Sequence, residues 1–310
     1  MSISRNRPKT VYYYCNLETF YEIITSSCLR LSNIPKSDDS DELTYLLPKV
    51  TSFCNQLFSK YNEMLDDDNK LAENFVNDAF DSTFNELSLM FYAICFSEES
   101  DLLSQWRGYT NDTRGVCIGI NTDSFYPLAK SIHSNFNFSQ IKYSRKDLYN
   151  HIKDYITNQI EEKWTDNQNK NSILLANLTD ATVSMVLYNS VLYKNKHFQE
   201  EKEWRLVYNP FGNIRQITSH MDYYDRMHEI LQKRNDTGGF VRNSVKFDLS
   251  NSKIRSYIDL SFEKIKQSFI TEIIIGSKTR INKIDLDLFL LSNGYDPTQI
   301  SIRDSAIPYR

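Results

Sequence analysis

Glu201, Glu203 and Arg205 alternate along a stretch that also holds Trp204, Leu206 and Tyr208. In a β-strand, alternate side chains share a face. Glu201, Glu203 and Arg205 would then point one way. Lys202, Trp204, Leu206 and Tyr208 would point the other, where Trp204 and Leu206 suit a core. The polar face would carry two carboxylates and a guanidinium, in a position to border a cleft. A fixed carboxylate can stabilise a developing positive charge and hydrogen-bond sugar hydroxyls. It can also help to deprotonate an acceptor. The plainer alternative is that Glu203 and Arg205 pair with each other across a solvated strand face.

Two other stretches carry residues with chemistry to offer. The first is residues 11–16, where Tyr13 points away from Tyr12 and Tyr14. A tyrosine can hydrogen-bond a ribose and stack on a planar ring, but it cannot be a cation. Tyr12 and Tyr14 read as packing residues. The second is residues 95–120. There Ser97 either borders a site or ends its strand. Trp106 and Tyr109 either brace a helix against a sheet or wall a base pocket. Arg107 is polar in an otherwise apolar motif. Its planar donor fork suits a phosphate, or an internal carboxylate such as Asp101.

Several chemistries lack their signatures. The sequence has no phosphate-binding G-x-x-x-x-G-K-[ST], no G-x-G-x-x-G after a strand, no H-E-x-x-H and no G-x-S-x-G. His133, His151, His197, His220 and His228 form no close metal pair. Cys15, Cys28, Cys54, Cys95 and Cys117 are odd in number and lack metal spacing. They read as buried, reduced thiols of a cytoplasmic protein. The acidic loop at 38–42 lacks the spacing and glycine of a calcium loop and reads as solvated.

The elements that must position these residues follow from periodicity. Strands are expected at 11–15, 28–32, 90–97, 116–120, 203–208, 240–249, 254–260, 272–275 and 300–303. Asn16 can cap a helix with Leu17, Phe20, Tyr21 and Ile24 on its buried stripe. Further helices are expected at 50–61, 71–87, 147–164, 172–193 and 286–291. The first of the two long ones would bury Leu148, Ile152, Tyr155, Ile156 and Ile160. A short helix after Ser100 would carry Leu103, Trp106 and Arg107.

Composition sets the outer limits. The chain has 310 residues, 40% hydrophobic and 25% charged, which is ordinary for a folded domain and excludes wholesale disorder. A net charge of −4 announces no nucleic-acid protein, although a local basic groove is compatible with it. The basic start of the chain is followed by no long apolar stretch, so no secretory signal is expected. The apolar stretch at 173–193 is broken by Asn177, Asp180 and Asn189, so no membrane span is expected. Neither an internal repeat nor a linker divides the chain. The expectation is a single α+β domain over 1–310, with helical insertions at approximately 43–88 and 145–194.

Read together, the stretches resemble a bacterial family catalogued as domain of unknown function 2971. The resemblance rests on the tyrosine strand at 12–14, on Leu31-Ser32-Asn33 with the acidic loop, and on Phe96-Ser97-Glu98 followed by residues 101–109. It continues with Lys202-Glu203-Trp204-Arg205, with Ile274-Ile275-Gly276, and with the end at 307–310. The match spans nearly the whole chain, and the central motif at 96–109 is the specific part.

The order of these motifs resembles, more distantly, an ADP-ribosyltransferase plan. That likeness implies two small mixed or antiparallel sheets forming a cleft, with NAD as the substrate. It implies that Tyr13 grips the dinucleotide and that Ser97 shapes the nicotinamide pocket. Glu203 would serve the reacting ribose, with Glu201 positioning the acceptor. Trp106, Arg107, Tyr109 and Arg205 complete the expected cofactor contacts. The implied activity is ADP-ribosyl transfer or NAD hydrolysis by a cytoplasmic toxin or antiphage effector. Its acceptor would be a protein or nucleic acid, and a regulatory protein partner is a further expectation. Relatives usually carry His where this chain has Tyr13. That change favours a rival reading, a non-catalytic nucleotide-binding or protein-interaction module. A nuclease-type effector is the third reading.

Overall fold

Val11 and Cys15 are buried on one side of the first strand, β1 (Thr10–Asn16), and Tyr14 on the other. A computed structural model describes residues 7–34, 47–67, 70–72, 74–87, 91–126, 136–166, 171–210, 241–250 and 253–308. The acidic loop at 38–42, His133, His220, His228, Tyr309 and Arg310 lie outside the described residues.

Asn16 ends β1 and caps α1 (Leu17–Ser26), its side chain accepting the Thr19 N–H at 2.8 Å. Phe20, Ile23 and Ile24 are the buried stripe of α1. Tyr21, expected on that stripe, is exposed and stacks on Phe289 with ring centroids 5.5 Å apart. Ser27 adopts a left-handed conformation and turns the chain into β2 (Cys28–Asn33).

The remaining strands are β3 (Tyr92–Ser97), β4 (Gly115–Asn121), β5 (Phe136–Gln140), β6 (Glu203–Tyr208), β7 (Val241–Ser250), β8 (Lys253–Ser261), β9 (Ile270–Ile275) and β10 (Ser301–Asp304). The other helices are α2 (Leu47–Asn62), α3 (Phe75–Leu87), α4 (Leu103–Tyr109), α5 (Arg145–Asp166), α6 (Ser172–Ser190), α7 (Lys266–Phe269) and α8 (Lys283–Ser292).

The architecture is mixed α and β. In place of two separate small sheets, ten strands are joined in one sheet among the described residues. Its order is β10-β9-β4-β1-β3-β2-β8-β7, and β6 and β5 branch from β3. The branching creates a fork. One edge of β3 pairs with β6 along its whole length, from Tyr92↔Tyr208 to Ser97↔Glu203. The other edge is shared. β1 meets it at one pair, Tyr12↔Ser97. β2 meets it at Ser32↔Ala93 and Asn33↔Tyr92. Between these contacts Ile94, Cys95 and Phe96 pair with neither arm. Beyond Tyr12, β1 turns away with β4, its partner along its full length.

One face of the sheet is a continuous core. Val11, Leu29, Leu31, Ile94, Phe96, Trp204, Leu206 and Leu260 pack there with Ile24 of α1 and Leu286 of α8. The opposite face carries two separate apolar clusters. A small one joins Tyr14, Cys117 and Ile274 to Trp106 of α4. A large one joins Ala93 and Val207 to α2, α3, α5 and α6. In α5, Leu148, Ile152, Ile156 and Ile160 are buried as expected, whereas Tyr155 is exposed. The apolar sequence of α6 is explained by burial in this layer, where Leu175, Leu178, Val183 and Val186 are enclosed. Among the described residues no helix is long and apolar enough to cross a membrane. The gap between the two clusters, beneath the fork, is polar.

Candidate functional site

The chain approaches the gap at the end of α6. A 3₁₀ turn over Lys196–Glu201 follows, started by Asn195, and Lys202 then adopts a left-handed conformation before β6 begins. That turn changes the geometry expected for residues 201–205. Glu203 and Arg205 share a strand face, with Trp204, Leu206 and Tyr208 in the core on the other. Glu201 precedes the strand, but its carboxylate reaches the same place from the turn. Lys202 points outward and pairs with Glu99.

Four charged side chains meet there. Lys194 Nζ lies 2.8 Å from Glu201 Oε2 and 3.0 Å from Glu203 Oε2. Arg205 Nε donates to Glu203 Oε1 at 2.5 Å, and its Nη1 donates to the Val191 carbonyl at 2.9 Å. The Glu203 backbone N–H donates to the Tyr143 hydroxyl at 2.7 Å, and the Cys95 thiol lies beside the carboxylate. Relative exposures are 3% for Lys194, 9% for Glu201, 3% for Glu203 and 5% for Arg205. Two buried carboxylates are therefore balanced by two buried cations, which offsets the high cost of burying charge alone.

The balance sets the protonation states. Burial opposes the charge on Glu203, but Arg205 and Lys194, with the Arg205 hydrogen bond, outweigh it. They hold the carboxyl at about 2, below its ordinary 4.5. Burial also opposes the charge on Lys194. Glu203, the Tyr109 hydroxyl and Glu201 outweigh it and hold the ammonium well above its ordinary range.

The quartet forms the inner end of a cavity of about 560 Å³. Both arms of the fork contribute to its walls. β1 supplies Tyr12, Tyr13 and Tyr14, and β2 supplies Arg30, Ser32 and Asn33. Cys95 and Phe96 of β3 border it where β3 lacks an arm. Arg255 and Tyr257 of β8 and Asp248 of β7 line it on the β2 side. Tyr13 packs edge-on against Phe96, with centroids 6.1 Å apart, and burial pushes its hydroxyl pKa up. Tyr109 is 51% exposed yet borders the same cavity, close to Lys194 and Glu201.

The structure thus brings Tyr13, Tyr109, Glu201, Glu203 and Arg205 together. Three other expected site residues lie off the cavity lining. Ser97 is buried, donates to the Glu201 carbonyl at 2.6 Å and accepts the Glu99 N–H at 3.0 Å. Its hydroxyl fixes the backbone that delivers Glu201. Trp106 is fully buried, with its ring edge-on to Tyr14 at 5.1 Å. Its Nε1 donates to Asp101 at 2.6 Å. Asp101 also accepts from the Ser305 hydroxyl and the Ala306 N–H, which fastens the chain beyond β10. Arg107 is exposed on α4.

Sequence reasoning missed Lys194, Arg30, Arg255 and Tyr257. On β8, Arg255, Tyr257 and Asp259 alternate with the buried Ile258 and Leu260, so its polar face was legible. Lys194 gave only the weak signal of a lysine just past a long apolar stretch. Four of the five cysteines are buried as expected, and Cys95 is exposed at the cavity. Among the described residues no group of three or more His, Cys, Asp or Glu is arranged to hold a metal.

Residues 105–206 match the family model described as Protein of unknown function (DUF2971). The family resemblance is therefore shown over the stretch from Gln105 on α4 to Leu206 on β6, which holds the end of the central motif, Gln105 to Tyr109, and Lys202-Glu203-Trp204-Arg205, and not over nearly the whole chain. Comparison with curated proteins and with solved structures gives no match.

Proposed function

We propose that the chain binds NAD in the fork, releases nicotinamide and passes ADP-ribose to an acceptor or to water. The observation that carries this reading is that Tyr13 of β1 and Glu203 and Arg205 of β6 border one cavity where β1 and β2 part. We read this fork as the cleft of an ADP-ribosyltransferase-like fold. Its tyrosines offer faces for planar rings, and its guanidiniums offer donors for phosphates.

In this reaction the bond between ribose C1′ and the nicotinamide nitrogen breaks, and its electron pair leaves with nicotinamide. The sugar becomes transiently cationic. Water or an acceptor hydroxyl, amine or carboxylate then bonds to C1′; water, a hydroxyl or an amine loses a proton as it does so. Glu203 is held ionised, so its carboxylate is available to stabilise the sugar cation. Glu201 stands beside it through Lys194, in a position to orient the acceptor. Such an NAD-consuming protein would act as a cytoplasmic toxin or antiphage effector, and its control would fall to a partner protein.

The test is nicotinamide release from NAD by wild type and by Glu203→Gln, with cell lysate supplying acceptors. Release by wild type should fall about 10²- to 10³-fold in the variant, the scale of losing one preorganised electrostatic contact. No release by the folded wild-type protein would overturn the reading.

One observation favours a second reading, a nucleotide-binding module without chemistry. Both Glu203 oxygens already face cations, Oε1 at Arg205 and Oε2 at Lys194. A carboxylate so neutralised presents little net field to a sugar cation. Nucleotide binding without nicotinamide release is the outcome that would select it.

A further inference from the structure

The cavity carries charged side chains at both of its ends. At its inner end Glu201 and Glu203 are balanced by Lys194 and Arg205. At its outer end, on the β2–β8–β7 side, Arg30 and Arg255 face the cavity with one carboxylate between them, Asp248. The outer wall therefore carries two guanidiniums, with Asp248 and, beside Arg30, Glu22 as nearby carboxylates.

Arg30 is held in a fixed plane. Its guanidinium carbon lies 4.0 Å from the centre of the Tyr257 ring, and its Nη1 donates to Asp248 at 3.0 Å. Its Nη2 lies 3.7 Å from Glu22 Oε2. A guanidinium stacked on an aromatic face is pre-organised, so less side-chain entropy is lost when it binds an anion. Arg255 is paired across the β7–β8 ladder with Asp248, which puts both arginines around the same carboxylate. Tyr13 also borders the cavity, edge-on to Phe96. Arg30 and Arg205 are on strands either side of β3.

We propose that Arg30 and Arg255 form the anion end of the cleft and select a nucleotide diphosphate over a nucleoside, with the sugar next to the reacting bond directed toward Glu203. This rests on the reading of the fork as a nucleotide site, and it adds the residues that hold the diphosphate and the direction in which the ligand lies. Arg30 supplies a stacked planar donor fork, and Arg255 supplies the second charge that a diphosphate requires.

The test is calorimetric titration of the whole chain with ADP, adenosine and inorganic pyrophosphate, none of which carries nicotinamide. Wild type should bind ADP at least about tenfold more tightly than adenosine, the scale of one charge-assisted contact. Pyrophosphate should compete with ADP, and added salt should weaken ADP but not adenosine. The double variant Arg30→Gln/Arg255→Gln should lose the preference. The salt and competition measurements need no variant, so a misfolded double variant leaves the proposal exposed to refutation. Equal binding of ADP and adenosine by wild type, no binding of ADP, or a preference that survives in a folded double variant would each overturn it. Nicotinamide release with no arginine-dependent preference would sink this proposal alone. An arginine-dependent preference with no nicotinamide release would sink the enzyme reading alone.

Discussion

Tyr12 of β1 stands opposite Ser97 of β3 in the single residue pair by which β1 meets the shared edge of β3. Ser97 also pairs with Glu203 on its other edge and holds the Glu201 carbonyl through its hydroxyl. One serine thus lies where the fork, the start of β6 and the turn carrying Glu201 converge.

Ser97→Ala should therefore cost stability and disturb the site without touching the cavity wall. It removes a buried hydroxyl that donates to the Glu201 carbonyl and accepts the Glu99 N–H. The expected loss is about 1–3 kcal/mol, the cost of leaving buried partners unsatisfied. Urea unfolding checks it, and an unchanged midpoint would contradict it.

The quartet should make stability depend on pH at both extremes. Glu203 has its carboxyl depressed from 4.5 to about 2, so its contribution is present above 4.5 and is lost as pH falls toward about 2. The amount is on the order of 3 kcal/mol. Lys194 is raised above its ordinary 10.5, so its contribution is present below 10.5 and is lost as pH rises through its folded value. Lys194→Met should cost about 3–5 kcal/mol at neutral pH, because it leaves buried carboxylates short of a cation. Glu201→Gln in the same chain should recover part of that loss. Unfolding of the two single variants and the double variant measures the coupling. Strictly additive losses would show that Lys194 and Glu201 do not act together.

Two glycines of the central stretch should respond in opposite ways. A Cβ on Gly115 would lie 2.1 Å from the Cys15 carbonyl oxygen, part of the backbone of the neighbouring strand. Gly115→Ala should therefore cost about 1–3 kcal/mol by forcing β1 and β4 apart. A Cβ on Gly108 would meet nothing within 4 Å, and that residue lies in α4. Gly108→Ala should be neutral or stabilising by up to about 1 kcal/mol. Thermal melts of the two variants decide it, and equal shifts would contradict the contrast.

Much of the local structure was legible because it depends on short periods. The alternation at 203–208 placed Glu203 and Arg205 on one face and Trp204 and Leu206 in the core. The Asn16 cap was readable as a residue type followed by an apolar stripe. Other boundaries moved where a local hydrogen bond decided them. Helix α8 begins at Lys283 because Asn282 caps it, ahead of the apolar run at 286–291. Strand β5 is absent from the expected elements, although Phe136 and Phe138 alternate with Asn137 and Ser139. Glu201 was expected on the strand, and the left-handed Lys202 sets it on a turn instead. The fork was not legible at all. It arises from registers between strands far apart in sequence, β1 and β2 against one edge of β3, and no local pattern encodes them. For the same reason Arg30 and Arg255 gave no sign that they would border a cavity with Glu203.

Arg205 donates to the Val191 carbonyl, one residue past the end of α6, and Lys194 follows three residues later. The C-terminal end of a helix is the end that favours cations. Both positive charges of the quartet are thus tied to the tail of a helix whose body lies in the four-helix layer. A shift of α6 along its axis would draw Lys194, and the Val191 carbonyl that holds Arg205, relative to Glu203 on the sheet. The helical layer is thereby a lever on the site: whatever presses on its far side would retune the charge around Glu203 without entering the cleft.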